Sequence, residues 1–148
     1  RNDTRLQGVP DVRKRIAEQR RQFKADRDYK FVFTLGQTGP VIGRLSLSQV
    51  FRGIFQNAYL GYQIDVRYKR RGLTTEAVRL ALGVAFGPIG LHRVQAAIMP
   101  HNEASLALIR SVGLRYEGKA ERYLKIAGVW QDHLMFAVTA DEWPRNHA

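Results

Sequence analysis

The spacing of apolar positions changes repeatedly between Tyr29 and Phe86, and each change marks a new element. Tyr29 to Leu35 alternates as a strand, Gly36, Gly39 and Pro40 turn the chain, and Val41 to Leu47 is expected to return antiparallel to it. Ser48 to Asn57 is less regular, and Phe51 and Phe55 within it are expected in the core or in a substrate wall. Leu60, Tyr62, Ile64 and Val66 then alternate with Tyr59, Gly61, Gln63 and Asp65, the period of two of a strand with one buried face. After a short basic loop, Leu73, Ala77, Leu80, Ala81 and Val84 recur at three- and four-residue spacing, which predicts an amphipathic helix.

The second half is punctuated as clearly. Gly87, Pro88 and Gly90 break the chain before a buried strand at Arg93 to Met99. Asn102 is a predicted cap for a short helix through about Ser111, with Gly113 as its stop. Two strands, near Arg115 to Ile126 and Trp130 to Val138, meet at the turn Ala127-Gly128. Upstream, Pro10 or Asp11 opens a helix that buries Val12, Ile16 and Phe23 and runs to about Ala25. Strands and helices mixed in this way predict an α/β (α+β) domain.

Candidate chemistry sits between the third strand and its helix, at Lys69-Arg70-Arg71-Gly72. Gly72 leaves its amide uncovered, and the first helical amides after it have no acceptor within the helix. An anion can sit where those N–H groups converge, with Lys69, Arg70 and Arg71 adding positive charge at the rim. The loop lacks the Gly-Lys-Ser/Thr ending of a nucleotide-binding loop and the further glycines of a dinucleotide fingerprint. The plainer alternative is a solvated charge run beside an ordinary turn.

Composition narrows the classes. The 148 residues, 45% hydrophobic and 25% charged, suit one globular domain with a sizeable core. No apolar stretch approaches bilayer length and no secretory apolar region is evident, so a cytoplasmic protein without membrane contact is expected. The absence of cysteine excludes disulfides and an acyl-cysteine intermediate. His92, His101, His133 and His147 lack metal-ligand spacing, so no metal is expected, and no Gly-x-Ser-x-Gly elbow suggests a hydrolase. The net charge is +11, and much of it lies early, at Arg13, Lys14, Arg15, Arg20, Arg21, Lys24 and Arg27. This surface is either a basic exposed helix face or a contact for ribosomal RNA or another polyanion.

The loop Lys69, Arg70, Arg71, Gly72, Leu73, Thr74 resembles the pyrophosphate loop Gln/Arg-x-x-Gly-x-Gly/Ala of the GCN5-related N-acetyltransferases (GNAT), with Lys69 and Thr74 as departures. Downstream, Asn102, Ser105, Gly113, Glu117 and Gly118 resemble the pattern Asn-x-x-Ser followed by Gly-Phe-x-x-Glu-Gly, with Leu114 in the Phe position. Gly128, Trp130, Asp132 and His133 are similar to Gly-x-Trp-x-Asp-His. Both patterns belong to the RimJ/RimL-type branch of ribosomal-protein-alanine acetyltransferases, and Phe51 to Tyr62 is most similar to the RimJ type. The resemblance covers about Tyr29 to Trp143 and implies a strand and helix ahead of the region resembling Arg1 onward. A single acetyltransferase domain over residues 1–148 that lacks those elements is therefore expected.

The resemblance implies acetyl-CoA as acetyl donor and a protein N-terminus or another primary amine, such as an antibiotic or polyamine, as acceptor. A non-catalytic RNA- or ribosome-binding module on the same fold is the alternative. The acetyltransferase resemblance implies a mixed, mostly antiparallel sheet flanked by helices, in which Gln63 to Val66 and Gln95 to Met99 splay apart, with main-chain groups of Ile64, Asp65 and Val66 binding the pantetheine. Gly72, Leu73, Thr74 and Thr75 would hold the pyrophosphate, and Lys69 and Arg70 the 3'-phosphate. Asn102 would hold the cofactor and Ser105 would relay a proton to the leaving sulfur; for both, a helix cap with its third-position partner is the other reading. The family's glutamate base falls on Leu124, which leaves Glu121, Tyr123 and His133 as candidate bases, while Glu117 is expected to be structural.

Overall fold

The computed structural model describes residues 25–34, 36, 38–68 and 72–143. The predicted N-terminal helix, the early basic cluster apart from Arg27, and Lys69, Arg70 and Arg71 lie outside these residues. The described chain forms β1 (Tyr29–Thr34), β2 (Val41–Phe51), β3 (Asn57–Ile64), a 3-10 turn (Val66–Tyr68), α1 (Leu73–Phe86), β4 (Arg93–Ile98), α2 (Glu103–Ser111), β5 (Arg115–Ile126) and β6 (Val129–Thr139). One six-stranded sheet runs in the order β1-β2-β3-β4-β6-β5. Only the central β3–β4 pair is parallel; the other four pairs are antiparallel.

Both helices share one core with the sheet. Phe33, Leu45, Leu47, Leu60, Val94, Phe136 and Val138 are buried with Val78, Leu82 and Ala85 of α1 and Leu106 and Ile109 of α2. Fully burying a residue such as Leu47 or Phe136 contributes about 1.5–3 kcal/mol, so this face orients the helices over the strands. The buried stripe of α1 is Ala77, Val78, Ala81, Leu82, Val84 and Ala85, whereas Leu73 and Leu80 are only half-buried. Small residues at Ala77, Ala81 and Ala85 let the helix approach the sheet, with Val78 and Leu82 fully buried beside them.

Three expectations need correction. β2 extends to Phe51, past the predicted end at Leu47, because Gln49 adopts a left-handed φ of 52° and the register shifts there instead of the strand ending. Phe51 and Phe55 stand edge to face with centroids 5.9 Å apart and are exposed by 59% and 39%, so neither belongs to the core. Val66 leaves the strand alternation, enters the 3-10 turn and is exposed. The β2–β3 connection is held instead by Arg52, which donates to Asp26 (2.6 and 2.9 Å), to the Gln56 side chain (3.0 Å) and to the Ile89 carbonyl (2.9 Å).

Candidate functional site

The parallel pair β3–β4 is hydrogen-bonded over only three rungs, Asn57–Arg93, Ala58–Val94 and Tyr59–Gln95. Both strands continue beyond those rungs, β3 to Ile64 and β4 to Ile98, without pairing to each other. Their other edges stay paired, β3 to β2 through Ile64 and β4 to β6 through Ile98. The sheet is therefore split from Leu60 and Ala96 onward. The split starts one residue later on β4 than expected, since Gln95 is still paired.

Ladder parity shows which main-chain groups face the split. Asp65 N–H donates to the Ile42 carbonyl (2.8 Å), so Asp65, Gln63 and Gly61 direct their backbone groups toward β2, and Ile64 and Tyr62 direct theirs toward β4. Ala140 N–H donates to the His92 carbonyl (2.7 Å), which by the same alternation turns the groups of Ala97 toward β3. The main-chain groups of Asp65 are thereby engaged within the chain. Its N–H is used on Ile42 and its carbonyl accepts from Tyr68 N–H (2.9 Å). Its carboxylate accepts from Arg67, which lowers its pKa to about 2. Tyr62 and Ala97, which the sequence reading did not select, direct their main-chain groups toward the split as Ile64 does.

Alongside the unpaired stretch of β3 lies a cleft of about 1210 Å³. Tyr62, Ile64 and Val66 form one wall, Leu73, Thr74 and Thr75 after Gly72 form the far end, and Asn102, Ser105 and Leu108 of α2 close the side. Gly72 is the N-cap of α1 with φ 72°, the left-handed region that favours glycine, and among the described residues no side chain caps the helix. The first intrahelical bond is Glu76 N–H to the Gly72 carbonyl (3.2 Å), so the amides of Leu73, Thr74 and Thr75 lack an acceptor within the helix. A Cβ at Gly72 would meet nothing within 4 Å. An extended, polyanionic cofactor fits this arrangement: anion donors lie at one end and unpaired main-chain amides at the other.

Asn102 caps α2 as predicted, its Oδ1 accepting from Ser105 N–H (3.2 Å). That bond uses the amide of Ser105 and leaves its hydroxyl for other chemistry. Ser105 is half-buried and lines the cleft. Glu121 does not reach this space: it is exposed and its carboxylate is 3.7 Å from Arg122. Tyr123 is half-buried, packs on the His133 ring at 5.6 Å and is absent from the cleft lining. Burial raises its pKa first, and the nearby Tyr59 raises it further. His133 is buried, and since the Gln131 carbonyl 3.0 Å from Nδ1 can only accept, Nδ1 carries the proton. Of the proposed proton-transfer groups, only Ser105 borders the cleft.

The remaining motif residues hold the scaffold. Asp132 accepts from Arg122 N–H (2.8 Å), which stabilises the bulge where Arg122 takes φ 48°. Glu117 bridges Arg93 (2.6 Å) and Arg115 (2.8 Å), tying β5 to β4 across β6. Arg93 first and Arg115 next hold its carboxyl at about pKa 2, against a desolvation that raises it. Among the described residues no cluster of His, Cys, Asp or Glu could hold a metal ion, and no helix is long and apolar enough to cross a membrane.

The acetyltransferase (GNAT) domain model matches residues 5–115, three quarters of the chain. The chain belongs to the GNAT family. It is 39% identical over 130 residues to the "Probable N-acetyltransferase YjcK" of Bacillus subtilis, covering 88% of the chain and 72% of that protein. It is also 39% identical over 103 residues to the [Ribosomal protein uS5]-alanine N-acetyltransferase of Escherichia coli, covering 70% of the chain and 53% of that protein. Among solved structures, Mycobacterium smegmatis RimJ in complex with CoA-disulfide superposes with a TM-score of 0.79 at 34% identity, covering 86% of this chain and 60% of that one. The ribosomal-protein-S5-alanine acetyltransferase of Vibrio fischeri gives 0.79 at 31% identity, covering 88% and 71%. The chain thus spans little more than half the length of the E. coli relative. The family, its fold, its acetyl-CoA dependence and the RimJ-like branch all agree with the sequence reading.

Proposed function

We propose that this GNAT domain transfers the acetyl group of acetyl-CoA to the α-amine of a protein N-terminus, in the manner named for its uS5-alanine relative. The observation that carries the reading is the split between β3 and β4, together with a cleft beside β3 that the uncapped start of α1 and Ser105 both border. The amides of Leu73, Thr74 and Thr75 hold the diphosphate. Main-chain groups of Tyr62, Ile64 and Ala97 align the pantetheine, and Asn102 borders it from α2. Lys69, Arg70 and Arg71 supply charge for the 3'-phosphate.

The donor contributes an activated thioester carbonyl; the chain's residues aim it and manage protons. A main-chain N–H at the split acts on charge that develops on the carbonyl oxygen as the amine attacks, which lowers the barrier beyond simple binding. The C–N bond forms, the C–S bond breaks, and Ser105 donates a proton to the departing sulfur. An N-terminal amine of pKa about 7.7 loses its proton at pH 7 for about 1 kcal/mol, against about 4.6 for a lysine near 10.4. The chain therefore has less need of a strong base for an α-amine, which accords with the exposed position of Glu121.

Thiol release is measured with acetyl-CoA and peptides bearing N-terminal Ala, N-terminal Ser, or a lysine behind a blocked terminus, with spermidine as small-amine control. Fast release with the Ala peptide supports the proposal. Turnover of spermidine alone would reassign the acceptor to small amines. Salt-sensitive RNA binding with no acetyl-CoA affinity would make the domain a binding module.

A further inference from the structure

Tyr62 places its phenol oxygen out of solvent, on the wall of the cleft, with no hydrogen-bond partner. Buried tyrosine hydroxyls ordinarily have one, and an orphan of this kind marks either an ordered water or a group kept for a ligand. Two features favour a ligand role. Tyr62 lies on the unpaired stretch of β3, its own main-chain groups facing the split. Ser105 of α2, across the same cleft, is the neighbour whose side chain acts on the phenol.

We propose that Tyr62 is a positioning residue for the leaving-group step: with acetyl-CoA bound, its O–H donates to Ser105 Oγ and so aims the Ser105 proton at the sulfur. The inference rests on the acetyltransfer reading above. The accounting is closed. The acceptor nitrogen loses one proton to solvent, Ser105 gives one to the sulfur as C–S breaks and regains one from solvent, and Tyr62 keeps its own throughout. A donor in this place must stay protonated, and burial, which raises the phenol pKa against the smaller opposite effect of Ser105, keeps it so. In the free protein the phenol already feels the Ser105 side chain without making a full hydrogen bond to it, and filling the cleft completes that geometry.

The test is Tyr62→Phe, alone and combined with Ser105→Ala, read by single-turnover thiol release with acetyl-CoA and an N-terminal-Ala peptide. Removing an unsatisfied buried hydroxyl while keeping the ring should leave Tm unchanged or raised. The single-turnover rate should fall roughly 10- to 100-fold, the scale of a hydrogen bond to a group that develops charge, with acetyl-CoA affinity within about twofold of wild type. In the Ser105→Ala background the same substitution should change the rate by less than about twofold, because the group it positions is gone. A wild-type rate in Tyr62→Phe, or an equal loss with and without Ser105, would overturn the inference while the acetyltransfer reading stands. No release by the wild-type chain with any acceptor would remove both.

Discussion

Gly72→Ala separates cofactor binding from folding at a single methyl group. At φ 72° an L-residue costs about 1–2 kcal/mol, partly offset by about 0.4–1 kcal/mol because alanine also restricts the unfolded chain. No described atom lies within 4 Å of the added Cβ, so no steric cost is added and the net loss is about 1 kcal/mol. For a chain of this size that corresponds to a fall in Tm of about 3–4 °C. The open space that spares the fold is the space the diphosphate needs. The methyl group would push the anion off the amides of Leu73 to Thr75, and loss of one charge-assisted hydrogen bond, about 1.5–3 kcal/mol, weakens acetyl-CoA binding roughly 10- to 100-fold. Titration calorimetry and thermal unfolding on the same sample check both numbers. Gly83→Ala, in the same helix and also open within 4 Å, is the control: it should raise Tm and leave affinity alone. Affinity within twofold of wild type in Gly72→Ala, alongside the expected drop in Tm, would refute the reasoning.

Further expectations follow from packing and charge. Gly43→Ala places a Cβ against the Phe33 ring, with Cε1 and Cε2 at 2.6 and 2.7 Å, so the fully buried ring must shift and stability should fall by about 1–3 kcal/mol in denaturant unfolding. Glu117 has a folded pKa of about 2 against an ordinary 4.5, a depressed value, so its stabilisation is present above about pH 5 and lost as pH falls toward 2. The full shift corresponds to about 3.4 kcal/mol; with the side chains of Glu117 and Arg115 29% and 46% exposed, screening reduces this to about 1–2. Glu117→Gln should therefore be less stable than wild type by that amount at pH 7 and equal to it near pH 2; a constant difference across pH would contradict the assignment.

The elements were legible where one local rule decided them. Asn102 as cap, Gly113 as stop and the alternation of β3 needed only nearest neighbours, and the acetyltransferase resemblance followed from the order of short motifs. What failed depended on partners far along the chain. Phe51 and Phe55 read as core or substrate wall because they are aromatic, and only their exposure in the fold removes the core reading. Asp65 entered among the main-chain ligands through the resemblance, and only the β2–β3 register reveals that its backbone faces Ile42. Tyr62 passed as an ordinary inward strand residue, since nothing local signals that its hydroxyl lacks a partner. Ladder parity, which turns Tyr62, Ile64 and Ala97 toward the split, exists only once β2 is aligned with β3 and β4 with β6.

A crystal structure of the chain with coenzyme A tests the central claim most directly. The account predicts the pantetheine threaded between β3 and β4, hydrogen-bonded to main-chain groups of Tyr62, Ile64 and Ala97, with the diphosphate on the amides of Leu73, Thr74 and Thr75. Coenzyme A bound elsewhere, or β3 and β4 paired past Tyr59 and Gln95 in the complex, would contradict it.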